Sequence, residues 1–435
     1  MIVRFSMDRP KPETGSNTIP SPRCDKWLSK STFCANLKRM TTLKEEIRRL
    51  SSEVFSSVIQ DRRHLHAHPE LSFKEYKTSE FVKARLSEMG VPWEPMAGTG
   101  VVGIIKGEKP CDRIIALRAD MDALPITEGN DVVYVSQNMG VMHACGHDAH
   151  TASLLGTARI LQSLKDRFGG TIKLIFQPGE ENLPGGASLM IRDGVLENPR
   201  PDHIIGQHTM PEIEAGKIGI RAGKHMASVD QITVTVHGRG GHAAQPAQNV
   251  DPILISAYIL VALQQIVSRA AQPHIPTVLS FGKIIGNGST NVIPDKVYLE
   301  GTFRTMDEDW RAEAHTRMKK MAEGIAESMG ATCDFDILRG YPYLVNEAKL
   351  TERVGIFAEE YLGKEKVVGV DIWMAAEDFA YYSQQVDSCF YLLGTGNKEK
   401  GITSSLHSPT YNIDEDALAI SIGLMAWLAV KQLGN

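Results

Sequence analysis

Apolar positions along the chain repeat with more than one period, and the places where the period changes divide it. From Thr42 to Ala67, Leu43, Ile47, Leu50, Val54, Val58 and Leu65 recur at helical intervals, which predicts an amphipathic helix with one buried face. It stops at His68-Pro69, because the residue before a proline avoids helical geometry. Glu75–Met89 predicts a second helix, closed by Gly90. Val101–Lys106 and Arg113–Leu117 are short apolar runs of the kind that form buried strands. The second delivers Arg118-Ala119-Asp120-Met121-Asp122 at a strand end, where α/β proteins place their chemistry. Thr151–Leu161 is small and apolar with helical spacing. Thr171–Phe176 predicts a strand ending in Gln177-Pro178-Gly179-Glu180-Glu181, and His203–Ile205 one ending near His208. Strands alternating with helices predict a mostly parallel central sheet with helices on both faces.

After about Met226 the pattern changes. Asp230–His237 alternates apolar and polar residues, as a half-exposed strand does. Asp251–Ala270 is a long apolar-striped helix with Asp251 and Pro252 at its start. Thr277–Ile285 and Val297–Thr305 predict strands, Glu308–Met329 a helix and Thr332–Leu338 a strand. That β-α-β-β-α-β order is ferredoxin-like. From Gly340 the first character returns, with helices over Lys349–Tyr361 and Asp414–Leu433 and a strand at Ser388–Leu393. The expected organisation is a larger domain from residues 41–226 and 340–435, with residues 227–339 inserted as a lid. Two crossings between them suggest hinge closure over a substrate.

Composition narrows the class. The 435 residues are enough for two domains, and 42% hydrophobic with 23% charged residues is an ordinary globular balance. A net charge of −5 gives no reason to expect nucleic acid or an anionic membrane as partner. No apolar run reads as long enough to span a bilayer. Six cysteines lie scattered without a framework, as expected in a reducing compartment, and a cytoplasmic location follows. Residues 1–40 carry scattered Pro, Ser, Lys and Arg with little periodicity. They lack the apolar core of a secretory signal and read as a disordered tail, or as an extension upstream of a start at Met40.

The chemistry concentrates in Met142-His143-Ala144-Cys145-Gly146-His147-Asp148-Ala149-His150. A thiol and an imidazole two residues apart can reach one cation, and sulfur with nitrogen suits borderline-soft divalent metals such as zinc. Gly146 removes bulk from a loop that must bend around an ion. Glu180-Glu181 sets two carboxylates side by side, and like charges raise each other's proton affinity. A dication relieves that repulsion and leaves one carboxylate free to act on water. His208, and His407 in Leu406-His407-Ser408-Pro409, complete the set. Each alone has an ordinary reading: a buried structural thiol, a solvated acidic turn, a satisfied histidine. Their joint occurrence at strand and loop ends points to a metal centre.

Ordered motifs then carry a resemblance. They are Arg62-Arg63-His64-Leu65-His66-Ala67-His68-Pro69-Glu70-Leu71-Ser72-Phe73, Leu117-Arg118-Ala119-Asp120-Met121-Asp122-Ala123-Leu124-Pro125 and His143-Ala144-Cys145-Gly146-His147-Asp148. Gln177-Pro178-Gly179-Glu180-Glu181, Gly240-Gly241-His242-Ala243-Ala244, Asn291-Val292-Ile293-Pro294 and Glu377-Asp378-Phe379 follow. From about residue 45 onward the chain resembles the co-catalytic metallopeptidase family of aminoacylases and carboxypeptidases, in its amidohydrolase branch. That branch holds bacterial N-acyl-amino-acid amidohydrolases, hippurate hydrolases and plant auxin-conjugate hydrolases. The resemblance implies two divalent ions per subunit, zinc first and manganese, cobalt or nickel as alternatives, held by Cys145, His147, Glu181, His208 and His407. It makes Glu180 the general base and Asp120 and Asp122 the carboxylates that orient a ligand histidine. It implies that His242 binds the substrate's carboxylate or the oxyanion, including across a dimer interface, and that Asn291 and Arg304 hold the carboxylate of the amino-acid half.

The implied reaction is hydrolysis of the amide bond of N-acyl amino acids (N-acetyl, N-benzoyl or similar) by metal-activated water. The implied assembly is a homodimer through the lid, with a small-molecule substrate. Alternatives are a dipeptidase or carboxypeptidase, a deacetylase of an intermediate such as N-acetyl-diaminopimelate, and, outside enzymes, a sensor of metal or acylated amino acid. An intact Glu180 and ligand set argue against the sensor, and Cys145 favours the amidohydrolase branch. Gly179 stands where the family commonly has alanine, a change expected to matter little. After His242 the chain runs Gln245-Pro246-Ala247-Gln248, where relatives often carry a further histidine, which bears on the substrate pocket and not on the metal site.

Overall fold

Helices α1 (Leu43–Ala67) and α2 (Tyr76–Glu88) form where helical spacing predicts them, and local backbone chemistry stops both. α1 ends ahead of Pro69, and Gly90 takes φ +68° after α2, a conformation that costs little only for glycine. The computed structural model describes residues 42–434, so the tail or extension expected over residues 1–40, with its start at Met40, lies outside the described residues. Next come β1 (Trp93–Met96), β2 (Gly100–Lys106), β3 (Lys109–Asp120), α3 (His147–Ser163), β4 (Gly169–Gln177), α4 (Gly186–Arg192) and β5 (His203–Glu214). Short β6 (Ile218–Ile220) and β7 (Gly223–Met226) precede β8 (Asp230–His237), β9 (Gly241–His242), α5 (Pro252–Gln265), β10 (Thr277–Ile285) and β11 (Val292–Ile293). β12 (Lys296–Thr305), α6 (Glu308–Ser328), β13 (Thr332–Arg339), β14 (Leu344–Asn346) and α7 (Ala348–Leu362) follow. The chain closes with β15 (Val367–Gly369), α8 (Ala380–Ser383), β16 (Asp387–Gly396) and α9 (Asp416–Gln432).

The large sheet runs β1-β2-β4-β3-β5-β16-β6-β15, and its centre, β4-β3-β5-β16, is parallel. Side chains alternate between its faces. Ile115 and Leu117 of β3 join one core with Val58 of α1, Leu154 of α3 and Leu428 of α9. Ala116, between them, joins the other, with Met190 of α4 and Tyr382 of α8. Covering on both faces explains why these strands read as unbroken apolar runs.

A second sheet, β10-β12-β8-β13, is antiparallel throughout and carries α5 and α6. Ile232, Val234 and Val236, the alternate residues of β8, pack with Ile255, Ile259 and Leu263 of α5 and Met318 of α6. Asp251 caps α5 by accepting from the backbone N–H groups of Ile253 and Leu254. With the wider π turn Ile266–Ala270, this helix reaches 19 residues, long and apolar enough to cross a membrane by length and composition. That amends the reading that no apolar run is so long. In the fold its inner side is buried on the sheet.

The structure also lengthens what was read as short. β5 runs through His208 to Glu214, paired along β16 with His208 opposite Leu392, so His208 sits inside a strand and not at its end. The polar pair His208-Thr209 hid that continuation. Elements of three or four residues, such as β1, β6, β14 and α8, offer too few positions for any period to show.

Candidate metal centre and active site

The parallel strands deliver their C-terminal ends to one place. Asp120 ends β3, and Gln177 ends β4 ahead of the turn bearing Glu180 and Glu181. Cys145 stands just before α3, and His147 opens it. Gly146 between them has φ +88°, and a Cβ there would lie 2.4 Å from Thr209 Oγ1, so the tight bend accepts only glycine. His407 comes from the loop before α9. It has φ +60°, and its N–H donates to the Ala144 carbonyl at 2.8 Å.

Cys145 Sγ lies 3.3 Å from His208 Nε2 and 3.3 Å from His407 Nε2. Glu181 Oε1 is 3.2 Å from His407 Nε2 and 3.9 Å from His147 Nε2. Donor atoms of Cys145, His147 and His208 lie within 4.8 Å of one another, as do those of Cys145, Glu181 and His407. Cys145, His147 and His208 are buried, whereas the His407 side chain is 53% exposed at the mouth.

Hydrogen bonds aim these rings. His208 Nδ1 donates to the Thr209 carbonyl at 2.7 Å, which leaves Nε2 facing the thiol. His147 Nδ1 lies 2.9 Å from the Asp122 carbonyl and 3.2 Å from its Oδ1. The same carboxylate accepts the N–H groups of Glu180 and Glu181, both at 3.0 Å. Asp120 pairs at 2.6 Å with His150 Nδ1, and His150 Nε2 accepts the Thr209 N–H at 2.8 Å. Arg118, fully buried, donates to Asp120 (2.7 Å), Glu377 (2.9 Å), Asp378 (2.8 Å) and Gln177 (2.9 Å).

Burial, with Glu377, Glu181 and Asp378 nearby, holds the Glu180 carboxyl well above its usual range. Burial together with Glu181 and Glu180 pushes the Cys145 thiol far up. For His147 burial opposes charging, but Asp120 and Asp122 overcome it and raise the ring to about 10. Burial and the neighbouring His150 hold His208 well below its ordinary value. Acidic groups thus crowd this site, and burial with their mutual repulsion favours the neutral forms of Glu180 and Cys145.

His147 Nε2 is buried without a hydrogen-bond partner, and so is Glu181 Oε1. Both belong to the groups formed around the thiol, and an orphaned buried polar atom is costly. One thiol, three imidazoles and a carboxylate form a donor set that suits divalent ions, and the two groups sharing Cys145 suit two of them.

A cavity of ≈ 430 Å³ opens on this cluster and is walled also by Arg304, Tyr341, Trp373 and Leu406. Arg304 Nη1 donates to the Met374 carbonyl at 3.0 Å. Among the described residues no carboxylate pairs with it, and burial alone lowers its pKa. Of the residues singled out from the sequence, Cys145, His147, Glu180, Glu181, His208, His407, Asp120 and Asp122 come together, and Arg304 reaches the cavity. His242 and Asn291 do not line it. Both are exposed, side by side on the β9–β11 ribbon, where the Ala243 N–H donates to the Asn291 carbonyl at 3.0 Å.

Gly179 is a correction. It has φ +59°, and a Cβ there would stand 2.2 Å from Phe73 Cε1, so alanine needs the ring to move and the exchange is not neutral. Sequence reasoning assigned no role to Arg118 or to Glu377-Asp378. The adjacent acids repeat the signal of Glu180-Glu181, and an arginine inside an apolar strand demands buried anions.

A parallel sheet that gathers thiol, imidazole and carboxylate donors beside a buried glutamate is the framework of a metal-dependent hydrolase. Residues 116–431 match Peptidase family M20/M25/M40, and the chain belongs to that family. An N-acyl-L-amino acid amidohydrolase of Geobacillus stearothermophilus is 45% identical over 304 residues, covering 70% of this chain and 81% of that protein. Thermostable carboxypeptidase 2 of Saccharolobus solfataricus is 39% identical over 393 residues, 89% of this chain and 98% of the other. Among solved structures, the Bacillus subtilis YXEP protein, a dinuclear metal binding peptidase from the M20 family, aligns with a TM-score of 0.76 at 34% identity, over 88% of this chain and 99% of that one.

Proposed function

We propose that the protein hydrolyses the amide bond of N-acyl amino acids, with Glu180 as general base. The observation that carries this is the convergence of Glu180, His147 and Glu181 within 4.8 Å, beside a cavity lined by Glu180, Glu181 and Arg304, the last with no carboxylate partner among the described residues. Cys145, His147, Glu181, His208 and His407 would hold two divalent ions, zinc suiting the thiolate and imidazole donors and manganese, cobalt or nickel being alternatives. Bound there, the ions supply Lewis acidity and lower the pKa of water from about 15.7 towards neutrality.

The chain's own groups do the rest. Glu180 accepts the proton of the attacking water and returns it to the departing amine. A carboxyl whose proton affinity burial raises is suited to keeping a proton between those transfers. Its backbone carbonyl accepts from Tyr341 Oη at 2.6 Å. Arg304 offers the substrate carboxylate a planar fork that can bind both oxygens. His242 and Asn291 would reach the amino-acid carboxylate or the oxyanion by closure of residues 227–339 as a lid, or from a second subunit. A well-placed oxyanion donor contributes about 3–4 kcal/mol. The exposed apolar side of α5 supports a homodimer through this segment. The four cysteines of the described residues are free thiols, which fits a cytoplasmic location.

The similarity to a thermostable carboxypeptidase favours a second reading, in which the same base and carboxylate anchor act on a peptide's C-terminal residue. A panel of N-acetyl, N-benzoyl and indoleacetyl amino acids beside dipeptides, assayed before and after chelation and metal add-back, separates the two. N-acyl substrates should be cleaved faster than dipeptides, with activity lost on chelation and restored by add-back. Turnover in a fully demetallated sample overturns the mechanism. Glu180→Gln should keep its metal content while kcat falls about 10²–10⁴-fold, and retained turnover would mean another base.

A further inference from the structure

Glu75 follows the Pro69–Phe73 motif and is fully buried. It occupies the N-cap position of α2, yet its side chain makes no capping hydrogen bond, although capping is the usual local use of an acceptor there. The carboxylate turns inward. Oε1 accepts the N–H of Phe73 at 2.8 Å and the N–H of Gly179 at 2.8 Å. Oε2 accepts the Thr99 hydroxyl at 2.6 Å. Asp122 meanwhile accepts the N–H groups of Glu180 and Glu181 through its two oxygens, each at 3.0 Å. Two buried carboxylates therefore grip three successive amides, and the middle one belongs to Glu180. The Phe73 ring, fixed two residues before Glu75, fills the space beside Gly179 that a side chain would take.

We infer that Glu75 is a positioning residue that sets the direction of Glu180 by holding the amide one residue before it. The inference rests on Glu180 being the base. Glu75 touches neither substrate nor the ligand cluster, so its effect falls on the orientation of Glu180 and not on binding. A misplacement of about 1 Å at such a group costs on the order of 10²-fold in rate.

The variants Glu75→Leu and Glu75→Gln are compared in the metal-loaded protein for kcat, KM and bound metal, on whichever N-acyl amino acid the wild type cleaves fastest. Leucine removes the acceptor at similar bulk. It should lower kcat about 10–100-fold while KM stays within about threefold and metal content is unchanged. Glutamine keeps an oxygen for both amides and can donate to the Thr99 hydroxyl, so it should restore most of kcat. A wild-type kcat in Glu75→Leu overturns the inference, as does a glutamine variant no better than leucine. If the leucine variant does not fold, Thr99→Val loosens the grip on Oε2 alone. It should lower kcat with KM unchanged, and an unaltered kcat again overturns the proposal. Glu180→Gln run alongside keeps the two readings apart. Turnover surviving there fails the base assignment, whereas its loss with an unaffected Glu75→Leu fails this inference only.

Discussion

A methyl group added at Gly179 would stand 2.2 Å from Phe73 Cε1, on a residue whose φ is +59°. Left-handed backbone costs a non-glycine residue about 1–2 kcal/mol, and displacing a packed ring adds roughly 1–3 kcal/mol. Gly179→Ala should therefore lower unfolding free energy by about 2–5 kcal/mol in urea titrations. Because the next residue is Glu180, kcat should fall further than KM rises. Phe73→Leu in the same chain should recover part of both losses. What was legible at this scale was chemistry carried by neighbours in sequence. Cys145 and His147 lie two residues apart and Glu180 and Glu181 are adjacent, so their shared purpose shows without a fold. Arg118 and Glu75 escaped because their partners, Glu377 and Asp378 for one and Gly179 and Thr99 for the other, come from distant segments.

Between β8 and β13 the chain enters and leaves the antiparallel sheet side by side, with Asp230 opposite Arg339. Arg311 of α6 holds the place. It donates to both Asp230 oxygens at 3.0 and 2.6 Å, and to the carbonyls of Val229 and Gly340 at 3.0 and 3.1 Å. His315 adds a contact to Asp230 at 2.6 Å. Burial works to raise the Asp230 pKa, but His315 and Arg311 outweigh it and hold it below 3.8. A carboxyl depressed in the folded state stabilises above its unfolded pKa, and that contribution fades as pH falls through the folded value. Urea stability should therefore owe a constant amount to this group from neutral pH down to about 5 and lose it below about 4. Asp230→Asn, which leaves the buried guanidinium only Glu308, at 3.0 Å, as a carboxylate partner, should cost up to about 3–5 kcal/mol at neutral pH and show a shallower decline in acid. The order of elements in this region was readable because β8 alternates strictly and α5 carries its own cap. The join was not, since nothing in the spacing of Asp230 and Arg311 along the chain announces that they meet.

At the level of the whole molecule, two observations ask for the same explanation. His242 and Asn291 stand exposed on the β9–β11 ribbon and outside the cavity. On the same sheet layer, α5 presents Ile253, Leu254, Tyr258 (58% exposed) and Val261 (75%) to solvent. β10 is an edge strand there, with Ile284 and Ile285 exposed. An exposed apolar helix face and a strand edge that is unpaired among the described residues fit a second copy of the chain, which would cover both at once. A stable pairing of this kind buries about 800 Å² on each partner. The sequence showed the apolar stripe of α5 but not its outward half, because a helix that is apolar on most sides reads as core whichever side is covered. If the chain pairs through this face, the wild type should sediment as a dimer and Tyr258→Glu combined with Val261→Glu as a monomer. Neither side chain is buried within the subunit, so the thermal midpoint measured in dilute solution should shift little. If the partner supplies His242, the monomer should keep its metal and lose kcat/KM at least about 10²-fold, the range for removing an oxyanion donor. Full activity in that monomer would instead require His242 to arrive by closure of its own subunit, and then His242→Ala in the monomeric background should lower activity as much as it does in the dimer.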